Sequence, residues 1–118
     1  MTRDLGVHGN LFGGQMLAWL DEAGASYSCQ VGDSTRMVTR SMSKVEFCKP
    51  VKVGRIVKIY GKVVSIGNTS VKIFLEARQH NPHSGKQKPV CSTEMVFVRL
   101  DQDGDPQPLS DKAKLRNY

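Results

Sequence analysis

The 118-residue sequence predicts an α+β domain in which one long helix is covered by a curved antiparallel β-sheet. Three observations carry that prediction. One segment near the N-terminus repeats apolar residues at helical spacing, and four later segments carry strand patterns bounded by turn residues. A single helix then covers the buried face of four strands only if the sheet curls around it.

The helix is expected over residues 11 to about 31, where Phe12, Met16, Leu20, Ala23 and Tyr27 recur at spacings of three and four. Asn10 stands before the apolar run, where its side-chain oxygen can cap free backbone N–H groups. Gly32-Asp33 closes the segment in a turn-compatible pair. Glycines at 13, 14 and 24 each weaken an isolated helix by up to about 1 kcal/mol, so close backbone approach is expected there.

Residues 36–47 read as the first strand, bounded by Lys49-Pro50. Residues 55–66 form the second, then come a turn at Gly67-Asn68 and a strand over 69–79. In the latter, Val71, Ile73, Leu75 and Ala77 alternate with Lys72, Phe74, Glu76 and Arg78, a half-buried pattern with only Phe74 against it. Residues 80–88 form a loop by their breaker content, and 89–100 the last strand. Residues 101–106 are read as a turn into a polar tail over 109–118, so that 1–118 makes one domain. The expected order is a helix followed by four strands in a meander. The uncovered sheet face and the edge strands need solvent-tolerant residues or another subunit, which points to at least a dimer.

Composition narrows the function. Charged residues are 24% and hydrophobic ones 39%, which argues against disorder, and no apolar run approaches the roughly 18 residues of a membrane span. No signal-peptide pattern opens the chain. Cys29, Cys48 and Cys91 are odd in number and form no CxxC pair, so they read as reduced thiols of a cytoplasmic or organelle-matrix protein. The formal net charge of +6 comes from basic residues spread singly, with 7% aromatics and no nucleic-acid-reading motif. No nucleic acid and no membrane partner are expected. The charge reads either as a solvated basic surface or as a diffuse attraction for a phosphate-bearing small molecule.

Between Asp4 and Asp33 the only formally charged side chains are Asp21 and Glu22. Burying a carboxylate costs several kcal/mol unless it is paired, so an acid on an enclosed helix calls for a reason. At 100° per residue, Asp21 falls about 20° from Gly14, and its near neighbours on the helix are Ala18, Gly24 and Ala25. Glu22 shares a different strip with Gln15, Trp19 and Ser26, a wetted flank. Asp21 is either a satisfied polar residue facing a helix end, a lysine or a partner, or it is chemically active. Free N–H groups near Gly13-Gly14 would suit an oxyanion or polarised carbonyl, which favours acyl-group hydrolysis with Asp21 as nucleophile or general base. Gly14 and Asp21 are seven residues apart, about 10.5 Å along a helix, too far to share one thioester carbon. If both act on one substrate, the acid comes from a second subunit.

Other candidates are weaker. His8 precedes the cap and either contacts a ligand or is exposed. His80 and His83 form an HxxH pair without a third ligand, so no metal is expected. Asp101-x-Asp-Gly-Asp has the wrong glycine offset for a calcium loop and no terminal Glu. No GxSxG, Walker or Rossmann motif is present.

The run His8-Gly-Asn-Leu-Phe-Gly-Gly-Gln-Met-Leu-Ala-Trp-Leu-Asp-Glu-Ala-Gly resembles the start of the central helix of hot-dog-fold acyl-CoA thioesterases. Val45-Glu-Phe-Cys-Lys-Pro-Val-Lys-Val-Gly, Gly67-Asn-Thr-Ser-Val and Phe97-Val-Arg-Leu-Asp-Gln-Asp-Gly are similar to that family's later strands, so the likeness covers roughly residues 4–108. The resemblance implies hydrolysis of acyl-CoA to free acid and CoA, with no cofactor, at sites between subunits. It also implies homodimers that assemble further into tetramers or hexamers. The family's acid maps onto Asp21 and its carbonyl-polarising amide near Gly14, with Asn10 as the third catalytic position. His8, Phe12 and Gly13 are expected at the substrate, and Thr69, Ser70 and Arg78 at the CoA phosphates.

Two departures stand out. Relatives carry Asp-x-Asn-x-x-Gly before the helix, whereas Asp4-Leu-Gly6-Val-His-Gly9 has Gly at the Asn position. Relatives also have a strand before the helix, where this chain has only about ten residues. Either that strand is shortened or the numbering begins within a longer protein, and some animal relatives carry two such domains in tandem. The alternatives on the same scaffold are a hydratase or dehydratase using His8, and a non-enzymatic acyl-CoA-binding domain. Acyl-chain preference depends on how Met16, Trp19 and Phe47 pack.

Overall fold

The computed structural model describes residues 13–47, 51 and 55–115. Helix α1 spans Gly13–Gly32, followed by β1 (Met37–Phe47), β2 (Ile56–Ile66), β3 (Ser70–His80), β4 (Gln87–Arg99) and a short α2 (Asp111–Leu115). The four strands form one antiparallel sheet in the order β1-β4-β3-β2. The expected meander therefore holds for β2, β3 and β4 but not for β1, which pairs with β4 and forms the opposite edge. Alternation along a strand specifies which face is buried but not which strand lies beside it.

Burial follows the pleat. Val71, Ile73, Leu75 and Ala77 of β3 are buried with Met95 and Phe97 of β4, while Phe74 and its outward neighbours remain partly exposed. Helix α1 crosses this face and buries Met16, Leu20, Gly24, Ser28 and Val31. That differs from the face expected from sequence, because Ala23 and Tyr27 are only half-buried. The reason is the close approach at Gly24. A Cβ there would stand 2.9 Å from Phe97 Cζ, 3.0 Å from Leu75 and 3.1 Å from the Met95 sulfur. Glycine is the only residue that seats the helix this deeply.

The helix ends as its sequence suggests. Asp33 takes the left-handed conformation (φ 53°), and Ser34 N–H donates to the Cys29 carbonyl at 3.1 Å, the 6→1 bond of a Schellman turn. The sheet curls through register shifts in β1 between Thr39 and Ser41 and between Ser43 and Glu46, and in β2 between Val63 and Ser65. At the second shift Lys44 has φ 51°, and the fully buried Thr93 hydroxyl donates to the Ser43 carbonyl at 2.8 Å. Strand β4 begins two residues earlier than expected, since Pro89 is tolerated beside the register shift between Ala77 and Arg78.

The turn over residues 101–106 forms, with the Asp101 carboxylate accepting N–H bonds from Asp103 and Asp105 and Gly104 at φ 86°. The segment after this turn is more than a polar tail. Leu109 and Ala113 are buried, and the segment docks against the C-terminal end of α1 and the β2–β3 turn. No helix among the described residues is long and apolar enough to cross a membrane.

Candidate active site

Asp21 sits midway along α1 on an exposed flank that faces β1. Thr39 of β1 donates its hydroxyl hydrogen to Asp21 Oδ1 at 2.7 Å. Thr39 is paired with Phe97, the residue whose ring meets Gly24, so the deep seating of the helix brings Asp21 within reach of the edge strand. Sequence spacing does not point to Thr39, because strand register rather than local pattern sets its distance from the helix. The only trace it leaves in the sequence is a hydroxyl-bearing residue within the expected first strand.

The small-residue stripe around Asp21 is partly different from expectation. Ala18 is exposed and Ala25 half-buried beside it, but Gly24 faces the sheet. Asp21 itself is exposed in the single subunit, so desolvation of its carboxylate would require a covering partner. Its other oxygen, Oδ2, has no hydrogen-bond partner among the described residues.

Gly13 opens α1 and Gly14 follows in its first turn, where no acidic side chain competes for the free N–H groups. The helix is continuous from Gly13 to Gly32, so Gly14 and Asp21 of one subunit remain about 10.5 Å apart along the axis. His8, Asn10 and Phe12 lie outside the described residues, as does the side chain of Phe47.

The expected phosphate contacts fall into two places. Thr69 and Ser70 belong to the β2–β3 turn, where Gly67 N–H donates to the Ser70 carbonyl and Arg99 N–H to the Thr69 carbonyl. Arg78 lies eight residues further along β3, about 26 Å away, with its Nε donating to Glu76 at 2.6 Å and its guanidinium 4.4 Å from the Tyr60 ring centre. One subunit cannot place both on the same phosphate.

A groove of about 890 Å³ lies at the C-terminal end of α1, lined by Cys29, Arg36, Arg99, Gln107 and their neighbours. It is eight residues from Asp21, about 12 Å along the helix, and sets Arg36 and Arg99 against Asp33, Asp101 and Asp103. Such mixed charge has no net preference for an anion. No group of three His, Cys, Asp or Glu residues among the described residues could hold a metal ion, and His80 and His83 stay an isolated pair.

Residues 8–86 match the family model described as Thioesterase superfamily. The chain is 33% identical over 115 residues to an uncharacterized acyl-CoA thioester hydrolase of Buchnera aphidicola, covering 92% of this chain and 82% of that protein. It is 30% identical over 112 residues to the acyl-CoA thioester hydrolase YciA of Salmonella typhimurium, covering 92% and 84%. Among solved structures it resembles a hexameric hotdog-fold thioesterase of Campylobacter jejuni, with 35% identity, a TM-score of 0.84 and coverage of 97% and 87%. It also resembles an Asp-to-Ala mutant of HI0827, a hexameric broad-specificity acyl-coenzyme A thioesterase, with 26% identity, a TM-score of 0.89 and coverage of 98% and 84%.

Proposed function

The chain belongs to the thioesterase superfamily, and on that premise we propose that it hydrolyses acyl-CoA to a free acid and CoA at a site centred on Asp21. The observation that carries the assignment is the Thr39–Asp21 hydrogen bond on an open helix flank. By holding Oδ1, Thr39 fixes the plane of the carboxylate and leaves Oδ2 for the reacting group.

As general base, Asp21 takes a proton from a water whose oxygen bonds to the thioester carbon. The tetrahedral intermediate collapses, the C–S bond breaks, and the CoA thiolate leaves to be protonated by the acid Asp21 now carries or by solvent. As nucleophile, its carboxylate bonds to the same carbon and expels the thiolate, and water then cleaves the resulting anhydride. In either route the carbonyl oxygen gains charge, which free N–H groups near Gly13 and Gly14 stabilise. On this reading the axial distance between Gly14 and Asp21 calls for those groups from a second subunit, and Asn10, His8 and Phe12 precede the same helix in sequence.

The assembly rests on the same logic. The edge strand β1, which carries Thr39 beside Asp21 and the exposed Val38 and Val45, suits a second copy, with dimers joining into hexamers like those of the solved relatives. At least one of the two phosphate contacts, the turn at Thr69 and Ser70 or Arg78, serves the CoA moiety of a given site. No cofactor takes part.

A thiol-release assay over acyl-CoAs of graded length tests the activity, with Asp21→Ala as control. Dimers mixed from Asp21→Ala subunits and subunits damaged at Gly14 test the shared site. Failure to recover activity in the mixture overturns it. Label found in Asp21 after repeated turnover in ¹⁸O-water identifies the nucleophile route with water attacking the Asp21 carbonyl of the anhydride, an outcome the general-base route does not produce.

A further inference from the structure

We infer that Lys114, from the short helix α2, binds a phosphate of the substrate's CoA moiety beside the turn over residues 68–70. The inference rests on the acyl-CoA reading and adds to it a residue far from the turn in sequence.

Four observations support it. Lys114 Nζ donates to Asn68 Oδ1 at 2.7 Å, which fixes an exposed ammonium at the turn. An ammonium carries three donors, so this contact leaves two for a ligand. The turn itself offers the hydroxyls of Thr69 and Ser70, neither of which has a partner among the described residues. The tail is held rigidly enough to present the lysine. Leu109 N–H donates to the Asn68 carbonyl at 2.8 Å, Arg99 Nη1 to the Pro108 carbonyl at 3.0 Å, and Leu109 and Ala113 are buried. Lys114 is thus a positioned cation rather than a freely waving one.

The distance to the chemistry fits. Thr39 pairs with Phe97 and Phe97 with Val71, so Thr39 and Val71 lie two strand spacings apart, about 9.6 Å. Thr69 stands two residues beyond Val71, which sets it about 12 Å from Thr39 by strand geometry. The pantetheine arm joining the thioester to the phosphates of CoA is longer than this span. No such span connects Asp21 to Arg78 on the helix-facing side, because Arg78 points to the opposite face and is held by Glu76 and Tyr60.

Calorimetric titration of the assembled protein with CoA, alongside kinetics on acyl-CoA and on the corresponding acyl-pantetheine, tests the assignment. Lys114→Ala is expected to raise the Kd for CoA and the KM for acyl-CoA about fivefold at low salt, with kcat unchanged. The same variant leaves the KM for acyl-pantetheine, which lacks the nucleotide phosphates, where it was. Lys114→Arg restores most of the affinity, and Lys112→Ala changes little. An unchanged CoA affinity in Lys114→Ala overturns the inference, as does an equal KM rise for acyl-pantetheine, which marks a merely structural strap. If the unsubstituted protein releases no thiol, the hydrolase reading fails, while the CoA titration still decides the role of Lys114.

Discussion

Thr39 and Asp21 are 18 residues apart in sequence and 2.7 Å apart in space, joined by a hydrogen bond from the Thr39 hydroxyl to Oδ1 of the carboxylate. The bond ties the middle of α1 to the edge strand β1 and sets the direction in which the free oxygen of Asp21 points.

Replacing Thr39 with Val keeps the shape and removes the donor. We expect kcat to fall about tenfold, in line with loss of a hydrogen bond to a charged group, with a smaller change in KM. Thr39→Ser retains the hydroxyl and most of the rate. Equal kcat values for the Val and Ser variants would show that the bond does not orient the acid.

Gly24 is where the helix lies closest to the sheet. A methyl group there gains helix propensity of up to about 1 kcal/mol but meets Phe97, Leu75 and Met95 at about 3 Å, inside normal contact distance. Overpacking wins, and Gly24→Ala should lower stability by about 1–3 kcal/mol in denaturant titration. Because the helix is pushed away from β1, activity should fall more than stability alone explains.

Thr93 supplies the hydrogen for the Ser43 carbonyl at the register shift in β1. Thr93→Val leaves that acceptor unsatisfied in a buried setting, at a cost of about 1–3 kcal/mol. A melting temperature equal to that of the unsubstituted protein would mean that water reaches the bulge.

Leu109 anchors the tail against Gly32 and the β2–β3 turn. Leu109→Ala should cost about 2–4 kcal/mol and speed hydrogen exchange at the amide of residue 109 and in α2 before the rest of the sheet opens. Uniform exchange across the chain would show that the tail unfolds only with the whole domain.

Much of this molecule is legible along the chain. The α1 segment, the four strands within a residue or two, the Gly67-Asn68 turn and the turn over residues 101–106 all arise from short-range pattern. So does the oddity of Asp21, since a charged residue in a run of small and apolar ones is visible without coordinates. The buried face of the helix lies about 60°, a sixth of a turn, from the one that periodicity indicates. Periodicity weights all apolar residues alike, whereas Gly24 decides the face by having no side chain at all.

The docked tail escapes local pattern for a related reason, because two buried residues among polar ones carry too weak a signal to announce a docking segment. Local sequence thus determined which segments are helix and strand, and which acid stands out, because those depend on periods of two and 3.6 residues. Tertiary structure alone decided that β1 crosses to the side of β4, that Thr39 meets Asp21, and that Lys114 meets Asn68. Each of those contacts joins segments 18 or more residues apart, and only packing of the whole sheet around Gly24 and Leu109 selects among the pairings that local patterns leave equally open.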